Sequence, residues 1–389
     1  MKLLVLAPQP FFQNRGTPIA TLKMLHVLSS EGHDIDLLTY HEGDRIDVPN
    51  CHHVRIPNLP FIKRVPPGFS IRKLVCDFFM TICVVRLCWR NDYDVIHAVE
   101  ESVFMAMMIK TLTGVPYIYD MDSSLPNQIV DQMRILKPFH GALRWFEGAA
   151  IRNSSGVVAV CQSLEQVAAK HSQDIPIVRI EDASLLTEAQ QKEEGQSNEI
   201  STMTGRKLMY VGNLQTYQGI DLLLDAFTHV YHCLDDVQLI VIGGSAEHMQ
   251  RYKALARQYK IADRTHILGP RPVEQLGEYL DQADVLVSPR TLGSNTPMKI
   301  FSYLESGIPV LATDLSMHTQ VLDDSIAMLV APTPLEMARG MVTLLNRPET
   351  RTELANAAQT RVTTHFAPEL LDSKLTEFYQ ELAQSLGRS

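Results

Sequence analysis

LLVLAPQPFFQNRGTPIATLKMLHVLSSEGHDIDLLTY (residues 3–40) and LMYVGNLQTYQGIDLLLDAFTHVYHCLDDVQLIVIGG (residues 208–244) open in the same way. Each runs from a short apolar segment through a loop of about ten residues into an amphipathic stretch of helical length, then into a second apolar segment. The apolar segments do not alternate with polar residues, so both faces of each strand are buried, as in a parallel sheet covered by helices. The pair therefore predicts two doubly wound α/β halves, with ligand crevices outside the carboxyl ends of the strands.

Working outward, strands are expected at 2–7, 35–39, 95–97, 117–119 and 156–160, then at 208–211, 238–242, 284–288, 309–313 and 327–330. Helical patterns between them include 17–30, 219–231, 249–258, 297–306, 334–345 and 368–386. LTEAQQKEEGQSNEISTMTGRK (186–207) is polar and lacks aromatics, which reads as an exposed linker. The expected organisation is a Rossmann-like domain at 1–190, a linker at 191–206, a second Rossmann-like domain at 207–365, and a helix at 366–389 crossing back to the first. A chain of 389 residues has room for both cores.

With 35 Lys and Arg against 44 Asp and Glu, the net charge of −9 disfavours a nucleic-acid partner. Six cysteines without a C-x-x-C pair argue against a disulfide framework and a structural zinc site, and fit a reducing cytoplasm. The N-terminal MKLLVLAPQPFF lacks a small-residue cleavage site and reads as a buried strand rather than a signal peptide. The longest apolar stretch, Leu74 to Leu87, is interrupted by Asp77 and Arg86, short of the roughly 18 uninterrupted residues of a membrane span.

PRTLGSNTPMKIFSYLESGIPVLATD (289–314) is where chemistry is expected. Asn295 or Thr296 offers an N-cap oxygen, Pro297 suits the first helical position, and Lys299 falls in the first turn. Unpaired amides, the helix dipole and an ammonium together suit a diphosphate. On these residues alone, a capped helix with Lys299 turned to solvent is the commoner outcome.

Other pieces follow in order: VGNLQTYQGIDLLLDAF (211–227), LIVIGG (239–244), LGPRPVEQLGEYLDQADVLVSP (268–289), YLESGIPVLATD (303–314) and HFAPELLDSKLTEFY (365–379). With APQPFFQNRGTPIATLKMLHVLSSEGHDIDLLTY (7–40) at the start, this order resembles the retaining glycosyltransferases of the GT-B fold, family 4 in particular. The resemblance implies two Rossmann-like domains facing an interdomain cleft. It also implies metal-independent transfer of a sugar, with retention, from a nucleoside-diphosphate donor to an acceptor hydroxyl, UDP being commoner than GDP. The departing phosphate would help to deprotonate the acceptor.

Carried over by position, Gly16 matches a glycine that admits the donor phosphates to the backbone; an ordinary turn is its other reading. The two cations that the family places on the diphosphate fall at Asn213 and Gln218, so both charges are missing. Two family glutamates, one near the sugar and one on the ribose, fall at Ser294 and Ser302. Glu305, one turn beyond Ser302, is a substitute candidate or a solvated helix residue. Charge for the diphosphate would then come from Lys299, Arg290 and Arg15, with the amide of Met298. Gly269, Pro270, Arg271 and Pro272 meet the base, and Asn295 lies toward the sugar. Asp122 stands where many relatives have a histidine beside the transferred sugar, and is the expected catalytic residue. His97 and Glu100, with Glu101, end the preceding strand and are secondary acceptor-side candidates.

Residues 61–90 carry a local charge of +5 next to Phe69, Phe78, Phe79 and Trp89. Relatives that glycosylate lipids use such a surface on this domain. Lys63, Arg64, Arg72 and Lys73 are therefore expected to touch an anionic membrane, with the helix that follows them in the core. The reading is a glycosyltransferase acting on a lipid-linked or envelope polysaccharide acceptor, peripheral on the cytoplasmic face of the membrane. A degenerate, non-catalytic subunit that binds a partner or nucleotide sugar is the alternative. A nucleotide-sugar epimerase is a third, weaker because its catalytic acids have no match.

Overall fold

A computed structural model describes residues 1–13, 16–63, 65, 70–186 and 199–387. Two structural units emerge: Met1–Glu181 with Glu369–Ser389, and Asp182–Pro368.

In the first unit, strands β1 (Lys2–Ala7), β2 (Asp34–Thr39), β3 (Cys51–Arg55), β4 (Val95–Val99), β5 (Tyr117–Met121), β6 (Gly156–Ala159) and β7 (Ile177–Arg179) form a parallel sheet in the order β3-β2-β1-β4-β5-β6-β7. Leu4 pairs with Asp36 on one side and Ile96 on the other, so the strand order reverses between β1 and β4. Leu3 to Ala7 are completely buried, as a strand covered on both faces must be. The connecting helices are α1 (Gly16–Ser30), α2 (Ile71–Arg90), α3 (Ser102–Thr113), α4 (Leu125–Gln132), α5 (His140–Asn153) and α6 (Gln162–His171).

In the second unit, β8 (Arg206–Val211), β9 (Val237–Ile242), β10 (Thr265–Gly269), β11 (Val285–Ser288), β12 (Val310–Thr313) and β13 (Met328–Val330) are ordered β10-β9-β8-β11-β12-β13, again all parallel. They are wrapped by α7 (Ile220–Cys233), α8 (Ala246–Gln258), α9 (Leu276–Leu280), α10 (Lys299–Glu305), α11 (Ser316–Thr319), α12 (Pro334–Asn346) and α13 (Pro348–His365). The last helix, α14 (Pro368–Ser385), returns to the first unit, where it buries Leu375, Phe378, Tyr379 and Leu382. Each such side chain contributes on the order of 2 kcal/mol. Gly156 makes room for it, since a Cβ there would lie 2.6 Å from the Phe378 ring.

The chain passes between units at Glu181–Asp182, ahead of the linker expected at 191–206. Residues 191–198 of that linker lie outside the described residues, but the rest is no exposed tether. Ile200 is completely buried in the second core with Met203 against it, because an apolar side chain in a polar run still finds a core when one is adjacent.

The expectation that the helix after residue 73 is core is corrected. Helix α2 buries Cys76, Met80 and Val84 completely, with Phe79, Cys83, Leu87 and Cys88 partly buried beside them, while Ile71, Leu74, Phe78, Ile82 and Trp89 lie on its outer side, Phe78 63% and Trp89 80% exposed. An apolar sequence on every side let one narrow stripe satisfy the sheet and left the opposite stripe bare.

Candidate functional site

In the second unit the carboxyl ends of β8, β9 and β10 all finish in glycine. Gly212 and Gly243 have φ of +147° and +117°, and a Cβ on Gly243 would fall 2.0 Å from the Gly212 carbonyl oxygen. The Gly243 amide donates to the Gly269 carbonyl at 2.7 Å, which ties the three strand ends together. Only glycine permits this approach, and it leaves the backbone bare at the place where a doubly wound sheet takes its ligand.

Lys299 lies over that floor. Its Nζ donates to Gln218 Oε1 at 3.0 Å and sits 3.8 Å from the centre of the Tyr210 ring. A Cβ on Gly212 would be 2.7 Å from the same Nζ. Burial first, and Arg290 second, hold its ammonium well below the usual lysine range. Lys299 is thus not turned to solvent. Gln218 is buried, and the Tyr210 hydroxyl, which donates to the Asn213 carbonyl at 2.6 Å, lies 3.3 Å from its Oε1. The two positions that lack the expected cations, Asn213 and Gln218, are therefore folded around a lysine supplied by another element.

Arg290 is almost completely buried and organises the loop before α10: Nε donates to the Leu292 carbonyl at 2.8 Å and Nη2 to Asn295 Oδ1 at 2.9 Å. This corrects the expected N-cap. With Asn295 held by Arg290, and Thr296 Oγ1 buried without a partner among the described residues, α10 starts two residues late, after Met298, with no side-chain cap. Ser294 offers its carbonyl to Gln320 Nε2 at 2.9 Å. Below, His318 Nε2 is 2.9 Å from Ser288 Oγ and its Nδ1 is 3.0 Å from Thr313 Oγ1; burial pushes it down to about 4. Thr313 Oγ1 donates in turn to the Arg290 carbonyl at 2.6 Å, so a neutral histidine buttresses the loop.

Ser302 already has a protein partner. Its hydroxyl is buried and accepts from the Leu185 amide at 2.9 Å, anchoring the segment where the chain enters the second unit. Glu305 ends α10, with Oε2 buried and unpartnered among the described residues. Arg271 is paired with Glu199 and also reaches the Pro270 carbonyl, while Pro272 is exposed.

In the first unit Gly16 opens α1 at an exposed position without positive φ, and a Cβ there would meet nothing within 4 Å. Neither turn geometry nor packing calls for glycine at that point. Arg15 and Arg64 lie outside the described residues. Asp122 lies half-buried in the bend after β5. His97 is not at the surface of any crevice: it is completely buried, with Nδ1 2.7 Å from the Tyr379 hydroxyl and Nε2 3.0 Å from Asp120 Oδ2.

Lys73 requires the largest correction. Among its expected companions, Lys63 and Arg72 are exposed, but Lys73 is drawn inward onto Glu101, with Glu100 Oε2 3.9 Å away. Burial disfavours the Lys73 ammonium, but Glu101 and then Glu100 together outweigh it and hold the group above the usual lysine range. Glu100 follows β4 with φ of +51°, a conformation costing a non-glycine residue on the order of 1–2 kcal/mol. Glu147, buried on α5, accepts from the Leu125 amide at 3.1 Å and the Ser124 hydroxyl at 3.3 Å, and so caps α4. The sequence reading missed Glu147, Tyr210 and Gly212; only the double glycine that ends β9 carried a signal.

Residues 191–361 match the family described as Glycosyl transferases group 1, and residues 15–181 match the Glycosyl transferase 4-like domain. The chain is 23% identical over 392 residues to the phosphatidyl-myo-inositol mannosyltransferase of Mycobacterium leprae, covering 99% of this chain and 98% of that one. A D-inositol 3-phosphate glycosyltransferase of Corynebacterium diphtheriae is 29% identical over 39% of this chain and 37% of its own length. Among solved structures, sucrose-phosphate synthase from Thermosynechococcus elongatus superposes with a TM-score of 0.79 at 18% identity, covering 99% of both chains. HepE of Anabaena in complex with UDP-glucose gives 0.73 at 15%, covering 98% of this chain and all of that one. The two parallel Rossmann-like sheets are those of the GT-B fold.

Proposed function

The chain belongs to the group 1 glycosyltransferases, and we propose that it moves a hexosyl group from a UDP-sugar to a hydroxyl of a lipid-linked or envelope glycan acceptor, with retention and without a metal ion. The observation that carries this reading is the Lys299 ammonium on Gln218, over the glycine floor at the ends of β8, β9 and β10. It returns one of the cations missing at Asn213 and Gln218. Seated in a buried site, it would stabilise the charge that grows on a departing diphosphate. A UDP-sugar is favoured by the relative crystallised with UDP-glucose.

Gly16, with no side chain between solvent and the start of α1, would admit the donor phosphates from the first unit. Asp122 would hold a hydroxyl of the reacting sugars, and the departing phosphate oxygen would take the acceptor proton. A lipid-linked acceptor is supported by the relatives named for phosphatidylinositol, and by the bare apolar side of α2 flanked by Arg72, Arg86 and Arg90. No helix among the described residues is long and apolar enough to cross a membrane. The contact proposed is therefore a surface one, made by the exposed apolar side of α2 rather than by the Lys73 ammonium.

Donor cleavage and transfer measured across a panel of nucleotide sugars test this reading, with Lys299→Ala as control. Transfer from a UDP-sugar that falls by about 10²–10³ in the variant is expected. Tight UDP binding with no turnover on any acceptor would favour the non-catalytic subunit instead.

A further inference from the structure

On the face of the first sheet covered by α2, α3 and α5, carboxylates gather at the strand ends. Glu100 and Glu101 follow β4, Asp77 comes from α2 and Glu147 from α5. The Lys73 ammonium answers Glu100 and Glu101, the Tyr40 hydroxyl donates to Asp77, and Glu147 has Ser124, the Leu125 amide and the charge of Arg144. The side chains of Lys73, Glu100 and Glu101 keep 13, 16 and 18% of their surface, so the group opens to solvent at its rim. At its floor lies the Tyr119 hydroxyl, completely buried and without a hydrogen-bond partner among the described residues. The carboxylates of Glu147, Glu100, Glu101 and Asp120 all act on it electrostatically. A buried hydroxyl left unpaired costs about 1–3 kcal/mol, which a ligand that reaches it recovers.

The position is that of a binding site in this fold, because β1 and β4 are the neighbours at which the strand order reverses. Its chemistry is one-sided. Carboxylate oxygens far outnumber donors, and the negative charges already crowd one another: Asp77 and Glu100 are each pushed up to about 7, by burial first and by Glu101 next. A phosphate placed here would add repulsion, whereas an ammonium brings three donors and the opposite charge.

The geometry points to an acceptor subsite that seats an amine-bearing, phosphate-free sugar unit, held by Glu100, Glu101 and the Tyr119 hydroxyl. This rests on the glycosyl-transfer reading and names the acceptor class for it.

Saturation-transfer NMR titrations of the full chain with glucosamine, glucose and glucose 6-phosphate at pH 7, each with and without UDP, test the inference. Glucosamine should bind about tenfold or more tighter than glucose 6-phosphate, with glucose between. Tyr119→Phe should weaken glucosamine severalfold while leaving the melting temperature unchanged or higher, since the lost hydroxyl bonds nothing in the protein. Glucose 6-phosphate binding as well as glucosamine, no sugar binding at all, or a Tyr119→Phe chain that is clearly destabilised would each overturn it. Failure of UDP to bind strikes the transfer reading instead, because the sugar titrations are also read without it.

Discussion

The Tyr379 hydroxyl lies 2.7 Å from His97 Nδ1, with the two rings stacked at 16° across 282 positions of sequence. Asp120 Oδ2 is 3.0 Å from the other ring nitrogen, so a tautomer with its proton on Nε2 satisfies both contacts: Nε2–H donates to Asp120 and Nδ1 accepts from Tyr379. The contact fastens α14 to the centre of the first sheet. Tyr379→Phe keeps the stack and removes the bond, leaving a buried nitrogen unpaired. It should cost about 1–2 kcal/mol in urea unfolding while UDP affinity stays within a factor of two. A variant of full stability with weakened UDP binding would return His97 to the list of site residues.

The pairing of Lys299 with Gln218 predicts a rescue. If the diphosphate needs a cation at this spot rather than a lysine on α10 as such, Gln218→Lys should restore the transfer lost in Lys299→Ala by at least about tenfold. Gln218→Lys alone, with two ammonium groups around the Tyr210 ring, should lose stability from like-charge repulsion. Equal rates in the single Lys299→Ala and double variants would show that the charge acts only from α10.

Binding of UDP should carry a proton with it. The free protein holds Lys299 below the usual lysine range, whereas a bound diphosphate favours the ammonium. Wherever the free amine is neutral, binding takes up a proton, and affinity falls with rising pH by up to about tenfold per unit. Calorimetry in buffers of different ionisation enthalpy reads the uptake directly. Lys299→Met should abolish it, and uptake that persists in this variant assigns the proton to another group.

Phe78→Glu with Ile82→Glu places charge on the bare side of α2 without touching Cys76, Met80 or Val84 beneath it. Sedimentation with vesicles rich in anionic lipid should fall at least about tenfold, with the melting temperature unchanged. Wild-type chain that sediments equally with neutral vesicles, or not at all, removes the membrane contact.

The strands that the sequence pattern passed over are all edges, although one edge, β13, was located by its apolar run. β3 reads Cys-His-His-Val-Arg, β7 has three half-buried residues, and β10 mixes Thr265 and His266 with its apolar positions. An edge strand keeps one side toward water, so its composition drifts from the continuous apolar run that reveals a central one. The site divides similarly. Lys299 was legible because a proline and a cap-like pair preceded it, although the cap is unused and Asn295 serves Arg290 instead. Lys73 was misjudged since local charge counting sees Arg72 and Lys63 beside it, and the carboxylates that claim it lie some thirty residues on, across a strand. Glu147 lies still further from the strand end it faces, and nothing local marks it.

Glu147 also sets a dependence of stability on pH. Burial is the main cause that pushes its carboxyl from 4.5 up to about 7, against the Ser124 and Leu125 hydrogen bonds and Arg144. The folded protein thus holds this proton more tightly than the unfolded chain. The stabilisation is fully present below pH 4.5, declines as pH rises toward 7, and is gone above it. Raising the carboxyl from 4.5 to about 7 corresponds to on the order of 3 kcal/mol. Glu147→Gln retains an acceptor for the Leu125 amide but cannot ionise. Between pH 4.5 and 8 the wild type should therefore lose more stability than the variant, by a difference of that order. At pH 8 the variant should be at least as stable. Asp77 and Glu100 shift in the same direction in both proteins, so the difference between the two curves isolates Glu147. Parallel curves from denaturant titrations across this range would mean that Glu147 is ionised in the folded chain, and that α4 is capped by a carboxylate.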